Sequence, residues 1–187
     1  MKRIAVIFLA IFLILVLFMG INCSSNGDDE TLPEGYRLYQ NAENGFRLYY
    51  PENWQQIDIS GVVVYFTIPD IDISQTDIDE FQADIYVSID SAEDKSLEEF
   101  ISTLEDTLTD YISEDATISN ENSIEVQGRI GHEWIVSWTL EGIQLKMKQV
   151  FFITSGKLYV LNCTARKDSY DDYVDTFDTI INSFKIE

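Results

Sequence analysis

Basic residues are scarce in this chain, and their scarcity excludes one class of partner. The 187 residues include 12 Lys and Arg against 33 Asp and Glu, which gives a formal net charge of −21. Nucleic-acid binding draws most of its affinity from Lys and Arg clustered on phosphates. Because the chain has no basic stripe outside its extreme N-terminus, we predict that it does not bind nucleic acid.

Histidine, cysteine and glycine-rich motifs are also rare, and this excludes several chemistries. One histidine, His132, and two cysteines, Cys23 and Cys163, cannot form a four-thiolate or two-thiolate, two-imidazole zinc site. The sequence contains no phosphate-binding Gly-x-x-x-x-Gly-Lys-Ser/Thr or Gly-x-Gly-x-x-Gly loop and no Gly-x-Ser-x-Gly nucleophile motif. We predict no cofactor, no resident metal and no enzymatic activity.

The N-terminal segment has the pattern of an export signal. Lys2 and Arg3 precede an uncharged apolar run over residues 4–21, and a basic flank before such a run is typical of secretory signals. The run is longer than most signal cores and slightly shorter than the roughly 20 residues of a membrane span. Residues 1–22 are therefore either a signal peptide that is removed or an uncleaved N-terminal anchor.

Cys23 lies where the apolar run ends, directly before a polar and acidic stretch. This arrangement resembles a bacterial-type lipoprotein signal, whose cysteine takes a diacylglycerol and becomes the first mature residue. The thiolate supplies the nucleophile for that acylation. We predict lipidation of Cys23, a flexible acidic tether over residues 23–35, and export to the outer face of the cytoplasmic membrane or another envelope membrane. The membrane would be bound through the lipid or through the N-terminal helix.

Residues 36–187 have the pattern of one domain rich in strands. Period-two alternation and turn residues predict two early hairpins, the second with a buried central strand at Val62–Phe66. Glu141-Gly142 and Ser155-Gly156 predict tight turns in a later meander. A capping box at Ser96 and Glu99 begins one predicted amphipathic helix, and a second covers 169–184. We expect an α+β fold, a central antiparallel sheet with a helix on each face.

Several segments of this domain resemble the PsbP-like family. The first is Gly-Phe-Arg-Leu-Tyr-Tyr-Pro-Glu-Asn-Trp at 45–54, and Val64-Tyr65-Phe66 followed by Pro69 continues the pattern. Ser96-Leu97-Glu98-Glu99-Phe100 resembles the first helix of the family. The chain end supplies the last match, with Gly156–Val160, Tyr173, Phe177 and Ile181–Phe184.

The resemblance implies a fold and a class of function. The family fold is a central antiparallel sheet with helices on both faces, shared with the Mog group of nuclear proteins. Members dock on photosystem II, Mog proteins bind a small nuclear GTPase, and similar domains occur in microbial lipoproteins. The plant docking surface uses basic residues near the mature N-terminus, where this chain has Asp28-Asp29-Glu30. No binding residue is therefore transferred from the family.

One acidic stretch is the only candidate for a cation site. It contains Asp70, Asp72, Asp77, Asp79 and Glu80, and oxygen-rich loops can hold calcium. The spacing is not that of a calcium-binding helix–loop–helix, which needs alternating acids, a glycine and a terminal glutamate. We interpret the stretch as a solvated loop between two strands, with weak calcium binding as the alternative.

The remaining reactive or aromatic residues are expected to be structural. His132 and Glu133 are neighbours on a predicted strand and so point to opposite faces, which argues against an acid–base pair. Cys163 lies in an apolar strand, where a thiol is usually inert. Asn162-Cys163-Thr164 is formally a glycosylation acceptor, although a mid-strand position argues against modification. Trp54, Trp134 and Trp138 are expected in the core.

Two functions remain open from the sequence. The first is a non-enzymatic, membrane-tethered extracytoplasmic domain that binds an unidentified protein, as an accessory subunit of an envelope complex. The excess of acids favours a partner with a basic or cation-bridged surface. The second is an extracytoplasmic lipoprotein that binds a small ligand or a divalent cation, which would need a pocket between sheet and helix.

Overall fold

The computed structural model describes residues 32–69, 80–92 and 94–187. The apolar N-terminal segment, Cys23 and most of the predicted tether lie outside these ranges, as do Asp70, Asp72, Asp77 and Asp79. Glu80, the last residue of the acidic stretch, is described and is exposed. Within the described ranges, no helix is long and apolar enough to cross a membrane.

The described residues form ten strands and two α-helices. The strands are β1 (Tyr36–Asn41), β2 (Phe46–Pro51), β3 (Gln55–Ile57), β4 (Val64–Thr67), β5 (Ala83–Ser91), β6 (Thr117–Val126), β7 (Arg129–Leu140), β8 (Ile143–Thr154), β9 (Lys157–Arg166) and β10 (Lys185–Ile186). Helix α1 (Leu97–Tyr111) lies between β5 and β6, and α2 (Val174–Ser183) lies between β9 and β10.

The strands form two sheets. The large sheet has seven strands in the order β3-β4-β5-β9-β8-β7-β6, and the small sheet has the order β1-β2-β10. Every strand pair is antiparallel. The predicted hairpin turn at Glu141-Gly142 joins β7 to β8, and both residues have positive φ, 50° and 89°. Such φ values suit a two-residue turn whose twist matches that of the strands.

Strand β9 is the centre of the large sheet and is buried along eight consecutive residues, 158–165. One hydrophobic cluster contains Leu158 and Val160 together with Ile101 and Leu108 of α1. A second cluster contains alternate β9 residues, among them Leu161, together with α2 and the small sheet. Because successive strand residues point to opposite faces, the two clusters occupy the two faces of β9. The predicted α+β class and central antiparallel sheet are confirmed.

Helix α1 begins with the capping box that the sequence predicts. The amide of Glu99 donates to Ser96 Oγ at 3.2 Å, and the amide of Ser96 donates to Glu99 Oε2 at 2.8 Å. These bonds satisfy backbone donors that the first helical turn leaves without partners. The carboxylate of Glu99 is stabilised by its bonds to the amide and hydroxyl of Ser96, which lower its pKa.

Helix α2 begins at Val174, later than the predicted start at residue 169. Residues Tyr170–Asp172 form a 3-10 turn instead, and Ser169 makes no side-chain cap. Tyr170 belongs to the α2-side cluster, so burial of its ring fixes the chain before the helix starts. Lys148 of β8 then bonds α2 to the sheet, with Nζ 2.9 Å from Asp178 Oδ1 and 3.2 Å from Glu133 Oε2.

Two expectations about the early strands need correction. The first hairpin, β1 and β2, is confirmed, but it forms a separate sheet with β10, a strand that the sequence did not indicate. Strand β4 is not central, because only the short β3 lies between it and the edge. Its apolar residues face a core on one side, and on the other Tyr65 stacks against Tyr86 at a centroid distance of 6.1 Å. An apolar run therefore did not mark the central strand here.

Gly131 of β7 is a position where the packing admits no side chain. An added Cβ would lie 2.6 Å from Phe152 Cε1 and 2.7 Å from the carbonyl oxygen of Phe151. We expect Gly131→Ala to lower the free energy of unfolding by about 1–3 kcal/mol, the usual cost of overpacking. Urea unfolding measures this, with Ile130→Thr as the control because Ile130 is 73% exposed. Equal stability of the two variants would contradict this packing.

Candidate functional site

Five side chains form a continuous row across the α1-side face of the large sheet. Each is the direct cross-strand partner of the next, on strands β4, β5, β9, β8 and β7. In this order they are Tyr65, Tyr86, Asn162, Gln149 and Trp134, which we call the polar row. Cross-strand neighbours have Cβ atoms about 5 Å apart, so the row is a contiguous strip of polar groups within the sheet.

Hydrogen bonds fix one half of the polar row. Trp134 Nε1 donates to Gln149 Oε1 at 2.6 Å, and Gln149 Nε2 donates to Asn162 Oδ1 at 2.6 Å. The exposed fraction is only 1% for both Trp134 and Asn162. A polar side chain that is shielded from water keeps its hydrogen-bond partner, because a buried polar group without one destabilises the folded state. These bonds therefore hold the two amides in fixed orientations.

The other half of the row ends in a buried carboxyl group. Tyr65 donates its hydroxyl to Asp84 Oδ2 at 2.6 Å, whereas the buried Oδ1 has no hydrogen-bond partner in the structure as described. Burial raises the pKa of Asp84 to about 6, against the opposing effect of bonds from Tyr65 and Thr164. Burial and the nearby Asp84 also raise the pKa of Tyr86 to about 12. Both tyrosines are therefore neutral phenols near pH 7.

An open cleft of about 290 Å³ lies above the middle of the polar row, between α1 and the sheet. Its apolar lining comes from Phe100 and Leu104 of α1 and from Phe151, Leu158 and Val160 of the sheet. Its polar lining comes from Tyr86, Ser88, Gln149 and Asn162. The charged lining residue is Asp90, which is exposed. A cleft in which apolar side chains meet a few convergent polar groups has the general form of a small-molecule site.

The two neighbours His132 and Glu133 diverge, as the sequence predicts. The ring of His132 contacts Trp134 at 5.5 Å on the α1 side, and its Nε2 lies 3.3 Å from Glu121 Oε1. Glu133 points to the other face, where it pairs with Lys148. The structure therefore does not bring the two side chains together as an acid–base pair.

Cys163 is a buried packing residue. It belongs to the α2-side cluster, on the opposite face from His132, and its exposed fraction is zero. Burial raises the pKa of its thiol above the usual range, so the reactive thiolate is disfavoured. Asn162 of the formal glycosylation motif is likewise buried. Trp54 and Trp134 lie in the core, and Trp138 packs against it half-buried.

The predicted lipid site and most of the predicted cation site lie outside the described residues. Cys23 and four of the five acids in the acidic stretch lie outside the described ranges. Among residues that are described, no group of three or more His, Cys, Asp and Glu is arranged to hold a metal ion. Calcium binding by the acidic stretch and lipidation of Cys23 therefore remain predictions.

The sequence analysis missed both the polar row and Asp84. Tyr86, Asn162 and Gln149 are the polar members of alternating strands, and alternation alone marks such residues as solvent-facing. Asp84 is one of many acids in the sequence and carries no local signal. One sequence signal for a buried polar site lies in β9, where Asn162 and Thr164 interrupt a run of apolar residues. Their partners depend on the register between strands that are distant in sequence.

Comparison with known proteins establishes the family. The model of the PsbP-like protein family matches residues 4–186. The chain therefore belongs to the PsbP-like family, as the sequence motifs indicated. No curated protein matches the sequence.

Solved structures show the same fold at low sequence identity. Cyanobacterial PsbP (CyanoP) from Synechocystis is 19% identical, with a TM-score of 0.62 over 90% of this chain and 99% of that one. LpqN of Mycobacterium tuberculosis, described as involved in cell envelope biogenesis, is 15% identical, with a TM-score of 0.57 over 81% and 90%. The Ran-binding protein Mog1p of Saccharomyces cerevisiae is 10% identical, with a TM-score of 0.56 over 81% and 95%.

The raised pKa of Asp84 predicts a pH-dependent contribution to stability. Its folded-state pKa of about 6 exceeds the ordinary aspartate value of 3.8, so this contribution is complete at low pH and is lost as the pH rises to about 6. We expect the stability of Asp84→Asn relative to the parent chain to increase from pH 4 to pH 7 by about 2 kcal/mol. Urea unfolding at a series of pH values measures the difference.

The matched control is Asp90→Asn, which removes one charge from the exposed end of the same strand. At each pH, the difference in the free energy of unfolding between a variant and the parent chain cancels the titration of the many other acids. A difference curve for Asp84→Asn that is flat between pH 4 and pH 7 would show that Asp84 is not desolvated as described.

Proposed function

We propose that this chain is a non-enzymatic accessory domain that is tethered to the outer face of a membrane and binds a protein partner. The observation that carries the proposal is the PsbP-like fold over the described domain, matched by CyanoP and by the Ran-binding protein Mog1p. Mog1p is a Ran-binding protein, and LpqN is involved in cell envelope biogenesis. A folded domain on a tether is suited to recruiting or stabilising such a partner.

The outer surface of α1 favours a partner with a basic surface. The helix contains five acids and no Lys or Arg, and all five are exposed: Glu98, Glu99, Glu105, Asp106 and Asp110. The opposite side of α1 packs on the sheet, so the acids project away from the core. Complementary charge speeds association and selects partners more than it adds affinity. The net charge of −21 extends this preference over the whole chain.

The tether is supported by the sequence alone. An apolar run after Lys2 and Arg3 ends at Cys23, and a polar acidic stretch separates that cysteine from β1. Roughly ten flexible residues are enough to hold a domain clear of a lipid surface. A single acyl chain binds membranes only marginally, whereas two chains anchor stably, which fits the diacylglycerol expected on Cys23.

The first test concerns the partner. Cross-linking in cells, followed by purification of the tagged chain from membranes, should recover a reproducible partner. We expect the triple variant Glu98→Gln, Asp106→Asn, Asp110→Asn to reduce its recovery by about tenfold, since three like charges each contribute a few tenths of a kcal/mol or more. The loss should be smaller at high salt, where exposed charges are screened.

The control removes three acids from a different part of the surface. Glu34→Gln, Glu43→Gln, Glu52→Gln changes three exposed residues next to β1 and β2 and should leave recovery unchanged. Equal losses in the two triple variants would point to net charge rather than to α1. Absence of any partner above background, with the chain still in the membrane fraction, would contradict the accessory role.

A second test concerns the anchor. Cys23→Ala removes the predicted acylation site, so we expect loss of the lipidated form on a gel and of labelling by radioactive fatty acid. Cys163→Ala is the control, because it removes the other thiol. Unchanged mobility and labelling in Cys23→Ala would exclude lipidation and leave residues 1–22 as an uncleaved anchor.

A further inference from the structure

The direction of the hydrogen bonds in the polar row follows from chemistry. The indole N–H of Trp134 can only donate, so the Gln149 atom 2.6 Å away must be its carbonyl oxygen. The amide nitrogen of Gln149 then faces Asn162 and donates to its Oδ1. Oδ1 and Nδ2 lie on opposite sides of an amide carbon. The Nδ2 of Asn162 therefore takes no part in the bond to Gln149.

This arrangement places an oriented donor in the lining of the cleft. Asn162, Gln149 and Tyr86 all line it, and both amides are held by the bonds that begin at the buried Trp134. Because the donor is already oriented, a ligand that accepts from it bears little of the entropy cost of ordering the site. The matching ligand group is a hydrogen-bond acceptor such as a carbonyl oxygen.

The rest of the lining sets the charge and shape of the ligand. The polar lining groups are two amides, a serine and the neutral phenol of Tyr86, and the acid Asp90 is at the exposed rim. An anion bound in the interior would lack a counter-ion, since the described lining residues include no Lys or Arg, and that costs far more than burying a neutral group. Phe100 and Phe151 offer aromatic surface, and about 290 Å³ suits a compact molecule.

We propose that the cleft between α1 and the large sheet binds a small uncharged molecule that combines an apolar ring with a carbonyl-type acceptor. The ring packs against Phe100, Leu104 and Phe151, and the acceptor bonds to the Nδ2 of Asn162. This site goes beyond the accessory role, because it uses the inner side of α1, whereas the protein partner is assigned to the outer acidic surface.

Three matched probes test the chemistry. Benzamide is neutral and has a carbonyl acceptor, benzoate is its anionic counterpart and benzamidine its cationic one. The full chain in lipid nanodiscs, labelled with ¹⁵N at tryptophan and asparagine, is titrated with each compound to its solubility limit. The indole N–H signal of Trp134 reports on the cleft through Gln149. The signals of Trp54 and Trp138 are internal references, assigned with Trp54→Phe and Trp138→Phe.

We expect benzamide to shift the Trp134 indole and Asn162 side-chain signals with saturation while the Trp54 signal stays in place. Benzoate should bind at least about tenfold more weakly, because it would bury an uncompensated negative charge. Benzamidine should also bind more weakly, because its amidinium has no acceptor for the Nδ2 of Asn162. Leu104→Trp should abolish the shifts by filling the cleft from α1, where Leu104 is only half-buried. Ser102→Trp, on the exposed side of the same helix, should leave them unchanged.

Three outcomes would overturn the proposal. The first is no saturable shift of the Trp134 and Asn162 signals with benzamide. The second is equal binding of the three probes, which would show nonspecific association. The third is benzamide binding that survives Leu104→Trp, which would place it elsewhere. None depends on recovery of a protein partner, so failure here is distinguishable from failure of the accessory role.

Discussion

The structure depends on one strand, β9, being buried on both faces. Eight consecutive residues of β9 are buried, and alternate members contribute to the two hydrophobic clusters. Each helix is held on the sheet by one of these clusters, and the small sheet is held by the same cluster as α2. The chain has one thiol within the described domain, and it is unpaired, so no disulfide supports this arrangement. Apolar burial on β9 therefore stabilises the described domain without the covalent cross-links that many small secreted domains contain.

Polar groups within this apolar frame are what give the domain a candidate site. Asn162 and Thr164 are buried in β9. Asn162 lies between Tyr86 and Gln149 of the neighbouring strands, and Thr164 lies opposite Asp84 of β5. A buried polar group without a hydrogen bond destabilises the folded state. The hydrogen bonds from Trp134 to Gln149 and from Gln149 to Asn162 therefore allow an asparagine to be buried in β9. The same bonds orient the amides that line the cleft. Stability and binding geometry therefore have a common physical origin on this face.

The two sides of α1 do different things. Its inner side completes the cluster with Trp134 and Phe151 and borders the cleft through Phe100 and Leu104. Its outer side carries five acids and no base. A helix of this kind can meet a protein through its charged side and a small molecule through its apolar side. The two proposed contacts do not compete for the same residues.

Local sequence signals determined the class of fold, the later hairpins and the start of α1, because periodicity, turn chemistry and capping each depend on residues close in the chain. The family motifs added the architecture.

Only the tertiary structure decided that β1 and β2 leave the main sheet, that β4 lies near its edge, and that α2 begins at Val174. It alone created the polar row, because that row depends on register among strands up to about a hundred residues apart. The burial of Asp84 and the cleft beneath α1 likewise arise from packing, which no local pattern encodes.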